Sequence, residues 1–205
     1  MKMKTHLILD AMGVVFIHED DLEDLLIPYL TARFNHIDTE KLRDLYYNQA
    51  SLGILSSKEF FKRLNVPDIK QEYLDECLRI NPDFLEVARE ICKLYTLSMC
   101  SNDVSEWASY LRRTYRLDRF FRTYVISGDL GLRKPNPKIY VKLLEALEAS
   151  GEECILVDNS LRNLEPASKL HITTIHFERS QSRGTYRPDY VVRDFFELER
   201  LLPRI

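Results

Sequence analysis

Two hydrophobic periods alternate along most of the chain. Short apolar runs rich in β-formers occur at Tyr95–Cys100, Tyr124–Ile126 and Cys154–Val157, with further strand-like pieces at His171–Phe177 and Tyr190–Val192. The segment Thr5–Phe16 (THLILDAMGVVF) opens in the same way and is then interrupted by Asp10 and Gly13, as suits a buried strand running into a loop. Between these runs, Phe84–Leu94, Val104–Tyr115, Ile139–Ala149 and Leu161–Leu170 space their apolar residues near the helical period. Strand and helix in alternation predict an α/β fold, a doubly wound parallel sheet with helices on both faces. Sheets of that kind bind ligands at the carboxyl ends of their strands.

One stretch breaks the alternation. Glu19–Pro82 carries only helical patterning, immediately after the first strand, which predicts an inserted small helical cap over residues 19–82 and a core formed by residues 1–18 and 83–205. Within it, Asp20–Phe34, Thr39–Ala50, Ser57–Leu64 and Gln71–Leu78 each read as a helix, with Asp38-Thr39 and Ser56-Ser57 as N-cap sites and Gly53 and Pro67 as punctuation. The aromatic residues Tyr46, Tyr47, Phe60 and Phe61 fall at helical spacing and are expected mainly in the core of this insertion.

Composition narrows the functional classes. Of 205 residues, 45% are hydrophobic and 30% charged, within the globular range. A net charge of -3 supplies no general attraction to nucleic acid or to an anionic membrane, so a small-molecule partner is favoured over both. The longest apolar runs fall well short of the roughly 20 residues that span a bilayer, and no stretch of signal-peptide length opens the chain, which together predict a cytoplasmic protein. Cys77, Cys92, Cys100 and Cys154 are scattered without a CxxC pair and are expected as reduced core thiols.

Four polar clusters fall where the sheet model ends its strands: Asp10, Ser101-Asn102, Lys134 and Asp158-Asn159. A carboxylate there can attack an electrophile, a hydroxyl and a backbone N–H can hold an oxyanion, an ammonium can neutralise charge, and a second carboxylate can hold a metal. Together they make a set suited to phosphoryl transfer.

The segments LILDAMGVVF, LSMCSND, GLRKPNPKIY and ILVDNSLRNLEPA resemble, in order and approximate spacing, the four motifs of the haloacid dehalogenase-like (HAD) superfamily. The stretch Tyr47–Phe61 is similar to the helical caps of its smaller phosphatase-like members. The resemblance implies a Rossmann-like core and a Mg²⁺-dependent phosphatase of small phosphorylated metabolites. Asp10 would be the nucleophile, forming an aspartyl-phosphate. Ser101 and the backbone N–H of Asn102 would bind the phosphoryl oxygens, and Lys134 would stabilise Asp10 and the transferring group. Asp10, the backbone carbonyl of Met12 and Asp158 would ligate Mg²⁺, with Asn159 and Asn163 in support.

Two positions depart from the pattern. Phosphatases of this family carry a second Asp where this chain has Met12, and a thioether transfers no proton; His18, Glu19 and Asp20 are the nearby candidates to replace it. Many relatives have an acidic residue at the position of Asn159, and an amide there removes one negative charge from the pocket. Met12 also leaves open a dehalogenase or phosphonatase reaction, or a catalytically silent domain that binds a phospho-ligand or protein. The absence of Arg from Val14–His18 counts against the dehalogenase, and a phosphonatase would call on Lys41, Lys58 or Lys62.

Overall fold

The computed structural model describes residues 3–179 and 184–205; residues 1, 2 and 180–183 of the expected core lie outside it. Its six strands are β1 (His6–Leu9), β2 (Thr96–Ser101), β3 (Phe121–Ile126), β4 (Cys154–Asp158), β5 (Thr173–Phe177) and β6 (Tyr190–Val192). They form one sheet in the order β3-β2-β1-β4-β5-β6, and each neighbouring pair is parallel. The chain winds outward from β1 in one direction through β2 and β3, then returns to β4 on the other side. The boundary between β1 and β4 is therefore the point where connections leave in opposite directions and the carboxyl ends open a crevice.

The core has two layers because successive side chains of a strand face opposite ways. Leu7 and Leu9 join one apolar cluster, packed by Phe84, Val87 and Ile91 of α6 (Pro82–Leu94), Trp107 and Leu111 of α7 (Ser105–Thr114) and Phe195 and Leu198 of α11 (Phe195–Leu201). Ile8 faces the other cluster, closed by Ile139, Tyr140 and Leu143 of α9 (Pro137–Leu147) and by Leu164 and Ala167 of α10 (Leu161–Ser168). A short α8 (Ser127–Leu130) follows β3. Cys100 and Cys154 are buried as expected of core thiols, whereas Cys77 and Cys92 are only half-buried; all four are free.

Between β1 and β2 the chain is helical: α1 (Ile27–Thr31), α2 (Thr39–Lys41), α3 (Asn48–Ser51), α4 (Ser57–Arg63) and α5 (Lys70–Cys77). Asp38 and Ser56 cap their helices as the sequence predicts, Asp38 accepting from the Lys41 N–H and Ser56 completing a capping box with Glu59. The first two helices differ from the expected continuous ones. Leu22–Leu26 and Leu42–Tyr47 adopt wider π-helical turns. Two ties join these turns: Arg43 pairs with Glu23, and the Tyr47 hydroxyl donates to Asp21 at 2.6 Å. The widened turns thus bring side chains of both segments onto one surface, at a cost in regular hydrogen bonding that π turns commonly incur near functional sites.

The entry and exit of the insertion are stitched together, Ile17 donating to the Arg79 carbonyl at 3.0 Å and Asn81 to that of Val15 at 2.8 Å. Trp107 fastens the insertion to the core. Its indole N–H donates to Ser57 Oγ at 2.8 Å, and its ring lies 5.6–6.3 Å from those of Tyr47, Phe60, Phe61 and Tyr73. Tyr47, Phe60 and Phe61 are buried, as their spacing predicts, and Tyr46 is half-buried. Trp107→Ala opens a cavity shared by both parts and is expected to cost about 3–5 kcal/mol, checked by urea unfolding with loss of the insertion's contacts in the same transition.

Candidate active site

Each predicted polar cluster stands at the carboxyl edge of the sheet. Asp10 follows β1 directly; its N–H donates to the Val157 carbonyl at 2.9 Å, extending the ladder by one residue, and its Oδ1 accepts from the next N–H, that of Ala11, at 2.7 Å. Ser101 closes β2 and Asp158 closes β4. Lys134 arrives from the loop before α9, whose start is set by Pro137 at its first turn and by Asn136, which caps the Lys138 N–H at 3.0 Å.

Lys134 is the meeting point. Its Nζ lies 2.8 Å from Asp10 Oδ1 and 2.6 Å from Asp158 Oδ2, with the ammonium side chain 1% exposed and Asp158 fully buried. Burial acts to lower the Lys134 pKa, but the two carboxylates outweigh it and hold the ammonium well above its ordinary range. Asp10 is pushed up to about 7, chiefly by burial and then by Asp158, against the opposing pull of Lys134. One positive charge therefore serves two buried acids.

The remaining predicted residues hold this trio in place or border it. Asn163 Nδ2 lies 3.1 Å from both Asp158 oxygens, and the Ser160 N–H donates to Oδ1 at 2.8 Å, so Asp158 is oriented from three sides. The Asn102 side chain brackets the lysine's backbone, donating to the Lys134 carbonyl at 2.9 Å and accepting from its N–H at 2.8 Å. That role of the Asn102 amide is not one the sequence reading attached to it. Asn159 donates to the Glu19 carbonyl at 3.4 Å. It also lies against Gly13, whose φ of +76° and lack of a Cβ are both required, since a Cβ would fall 2.3 Å from Asn159 Nδ2.

Asp10, Met12, Ser101, Asn102, Lys134, Asn159 and Asn163 share one cavity of about 550 Å³. Its far wall comes from the helical insertion and its entry: Glu19, Asp20, Asp21, Glu23, Arg43, Asp44, Tyr47 and Asn48, joined by Arg133 from the core. His18 is not among the lining residues. Arg133 donates to the Asn48 side chain, and its guanidinium lies 5.9 Å from the Tyr47 ring centre.

The donor chemistry of this cavity fits a hard divalent cation. Among the described residues no group of three or more His, Cys, Asp and Glu side chains gathers in metal-binding geometry. Asp10 nevertheless lines the cavity with its carboxyl group, and Asp158 lies fully buried behind it on the same lysine, so two oxygen-donor acids meet at the cavity floor. Mg²⁺ is commonly held by one or two carboxylates with water completing its shell, so two acids and a backbone carbonyl suffice.

Two further buried acids were not foreseen. Burial raises Asp21 to about 6, with Asp20 adding to it and the Tyr47 hydrogen bond opposing. Burial raises Asp103 still further, with Asp21 and Asp10 adding to it. For Asp21 the native carboxyl keeps its proton up to about pH 6, while the unfolded one gives it up near its ordinary 3.8. The native state thus binds more protons in that window, and stability falls as pH rises through it. Asp21→Asn removes this loss and is expected to be more stable than wild type by roughly 1–3 kcal/mol at pH 7.5, with the gain vanishing below about pH 4, as read by denaturant titration at the two pH values.

A family model described as haloacid dehalogenase-like hydrolase matches residues 8–171. The chain is similar to the glyceraldehyde 3-phosphate phosphatase of Pyrococcus furiosus, 31% identical over 109 residues that make up 50% of this chain and 45% of that protein. It is also similar to the pyrophosphatase PpaX of Bacillus mycoides, 23% identical over 191 residues, 91% of this chain and 81% of the relative. The matches span less than half the length of the three glyceraldehyde 3-phosphate phosphatases. Among solved structures, the HAD family enzyme bt-2542 of Bacteroides thetaiotaomicron superposes with a TM-score of 0.74 at 19% identity, covering 88% of this chain and 96% of that one. The same enzyme is known in complex with magnesium and inorganic phosphate. With the family model covering most of its length and the fold in agreement, the chain belongs to the haloacid dehalogenase-like hydrolases.

Proposed function

We propose that the chain is a Mg²⁺-dependent phosphatase of a small phosphorylated molecule, and that residues 19–82 act as a cap that helps select it. The observation that carries this reading is the Lys134 ammonium clamped between Asp10 and Asp158 at the floor of a cavity that also exposes Ser101. A phosphate monoester bound there presents its phosphorus to Asp10, whose Oδ1 is fixed by Lys134 and the Ala11 N–H while the carboxylate opens onto the cavity. Ser101 and the Asn102 N–H receive the non-bridging oxygens, and the Lys134 charge offsets the negative charge gathering as the two anions approach. Attack by Asp10 gives an aspartyl-phosphate and releases the alcohol; water then cleaves the acyl-phosphate and restores the carboxylate.

Bound Mg²⁺ would supply charge neutralisation and a fixed oxygen coordination shell at this point, held by Asp10, the Met12 carbonyl and Asp158. The residues that orient Asp158, Asn163 and the Ser160 N–H, would preserve its aim toward that ion. The complexes of bt-2542 with magnesium and phosphate and the phosphatase names of the sequence relatives support the reading. Arg133 and Arg43 on the opposite wall suit the polar or anionic remainder of a substrate.

Phosphate release from p-nitrophenyl phosphate and a panel of small phosphorylated metabolites, with Mg²⁺ or with chelator, tests the proposal. Wild type should be active only with Mg²⁺, and Asp10→Asn should lose at least about 10³-fold in kcat, in line with removing a covalent nucleophile. Activity restricted to Met12→Asp would instead show that the natural chain binds phosphorylated ligands without turning them over.

A further inference from the structure

We propose that Asp21 is the proton donor and acceptor of this active site, taking the part that a side chain at position 12 cannot play; the inference rests on the phosphatase reading above. Expulsion of an alcohol from a phosphate monoester needs a proton on the leaving oxygen, and the Met12 side chain that lines the cavity beside Asp10 has none to give.

Three other acids of the cavity wall are engaged or open to solvent. Asp20 caps the turn that follows, accepting from the Leu22 and Glu23 N–H groups at 3.0 Å each. Glu23 is paired with Arg43, whose hydrogen bond lowers its pKa. Asp44 is exposed. Asp21 stands apart in being 8% exposed while still facing the cavity. It sits where an Asp would ordinarily cap a helix, yet its side chain caps nothing. It turns instead to the Tyr47 hydroxyl at 2.6 Å, and the Tyr73 hydroxyl fixes its backbone carbonyl at 3.2 Å. The acid is thus held from two helices of the insertion, in a rigid pose.

The charged and titratable groups facing it are Asp20, Asp103 and Arg133 together with those two tyrosines. Burial and the neighbouring acids favour its neutral form, and its value of about 6 lies close to working pH, where a group can both give and recover a proton. In the first step the bond from phosphorus to the leaving oxygen breaks as the Asp10 bond forms, and the leaving oxygen takes the Asp21 proton. In the second, the Asp21 carboxylate takes a proton from the water whose oxygen attacks phosphorus, which frees inorganic phosphate and Asp10 and returns Asp21 to its acid form.

The leaving group provides the test. Asp21→Asn keeps an acceptor for Tyr47 but has no acidic proton. With glycerol 3-phosphate as substrate, kcat/KM should fall by about 10²–10⁴-fold. With p-nitrophenyl phosphate, whose leaving group departs as a stable anion, it should fall far less, and a stoichiometric burst of nitrophenol should precede slow turnover as the phosphoenzyme accumulates. A merely structural Asp21 would lower kcat/KM equally for both substrates without a burst, and that result overturns the proposal. It is equally overturned if Glu19→Gln, the half-buried acid on the same wall, shows the split while Asp21→Asn does not. Absence of any Asp10-dependent phosphate release from wild type would overturn the phosphatase reading and this inference together, whereas Asp10-dependent release with equal losses would overturn the Asp21 role alone.

Discussion

Two carboxylates buried at the ends of adjacent strands repel each other unless a positive charge is brought between them. Here that charge is Lys134, within 2.8 Å of Asp10 and 2.6 Å of Asp158. Much of the local structure serves this arrangement. The parallel pairing of β1 and β4 brings the two acids side by side. The Asn102 amide grips the backbone of the lysine from β2, and Asn163 and Ser160 orient Asp158 from α10 and the turn before it. A buried ion pair contributes little net stability, because desolvation offsets most of the attraction. Its worth lies in position: the charges are fixed before a substrate arrives, so none of that reorganisation is left for the reaction itself.

The same logic accounts for the acids whose pKa burial raises. Asp10, Asp21 and Asp103 are all buried, and the first two add to the shift that burial imposes on Asp103. A cavity with so many carboxylates is less stable than one lined by amides, and the excess charge is what a cation or a proton in transit can use. Stability is given up at the site and recovered in the two apolar layers and in the Trp107 cluster that locks the insertion to the core.

Most of the core was legible in the sequence because its signals are local. The apolar runs stop where Ser101 and Asp158 close their strands, and Asp38 and Ser56 cap where their residue type and spacing say they should. The far wall of the site was not legible. Asp20 and Asp21 are chemically identical neighbours; one caps a turn, while the other is aimed inward by a tyrosine 26 positions away, and no periodicity distinguishes them. The π-helical turns were hidden as well: the ties between their segments, such as Arg43 to Glu23, join residues 20 positions apart. Asn102 lines the same cavity as the other strand-end residues, but its side-chain contacts depend on a loop 32 residues away.

A nucleophilic Asp10 is phosphorylated once in every turnover. The most direct measurement is rapid quenching of the protein during hydrolysis of a phosphorylated substrate with Mg²⁺, followed by peptide mass spectrometry with and without borohydride reduction of acyl-phosphates. A transient phosphoryl group is expected on the peptide containing Asp10, converted by borohydride to the alcohol at that residue. Continued phosphate release with Asp10 unmodified, or with the phosphoryl group on another residue, would contradict it.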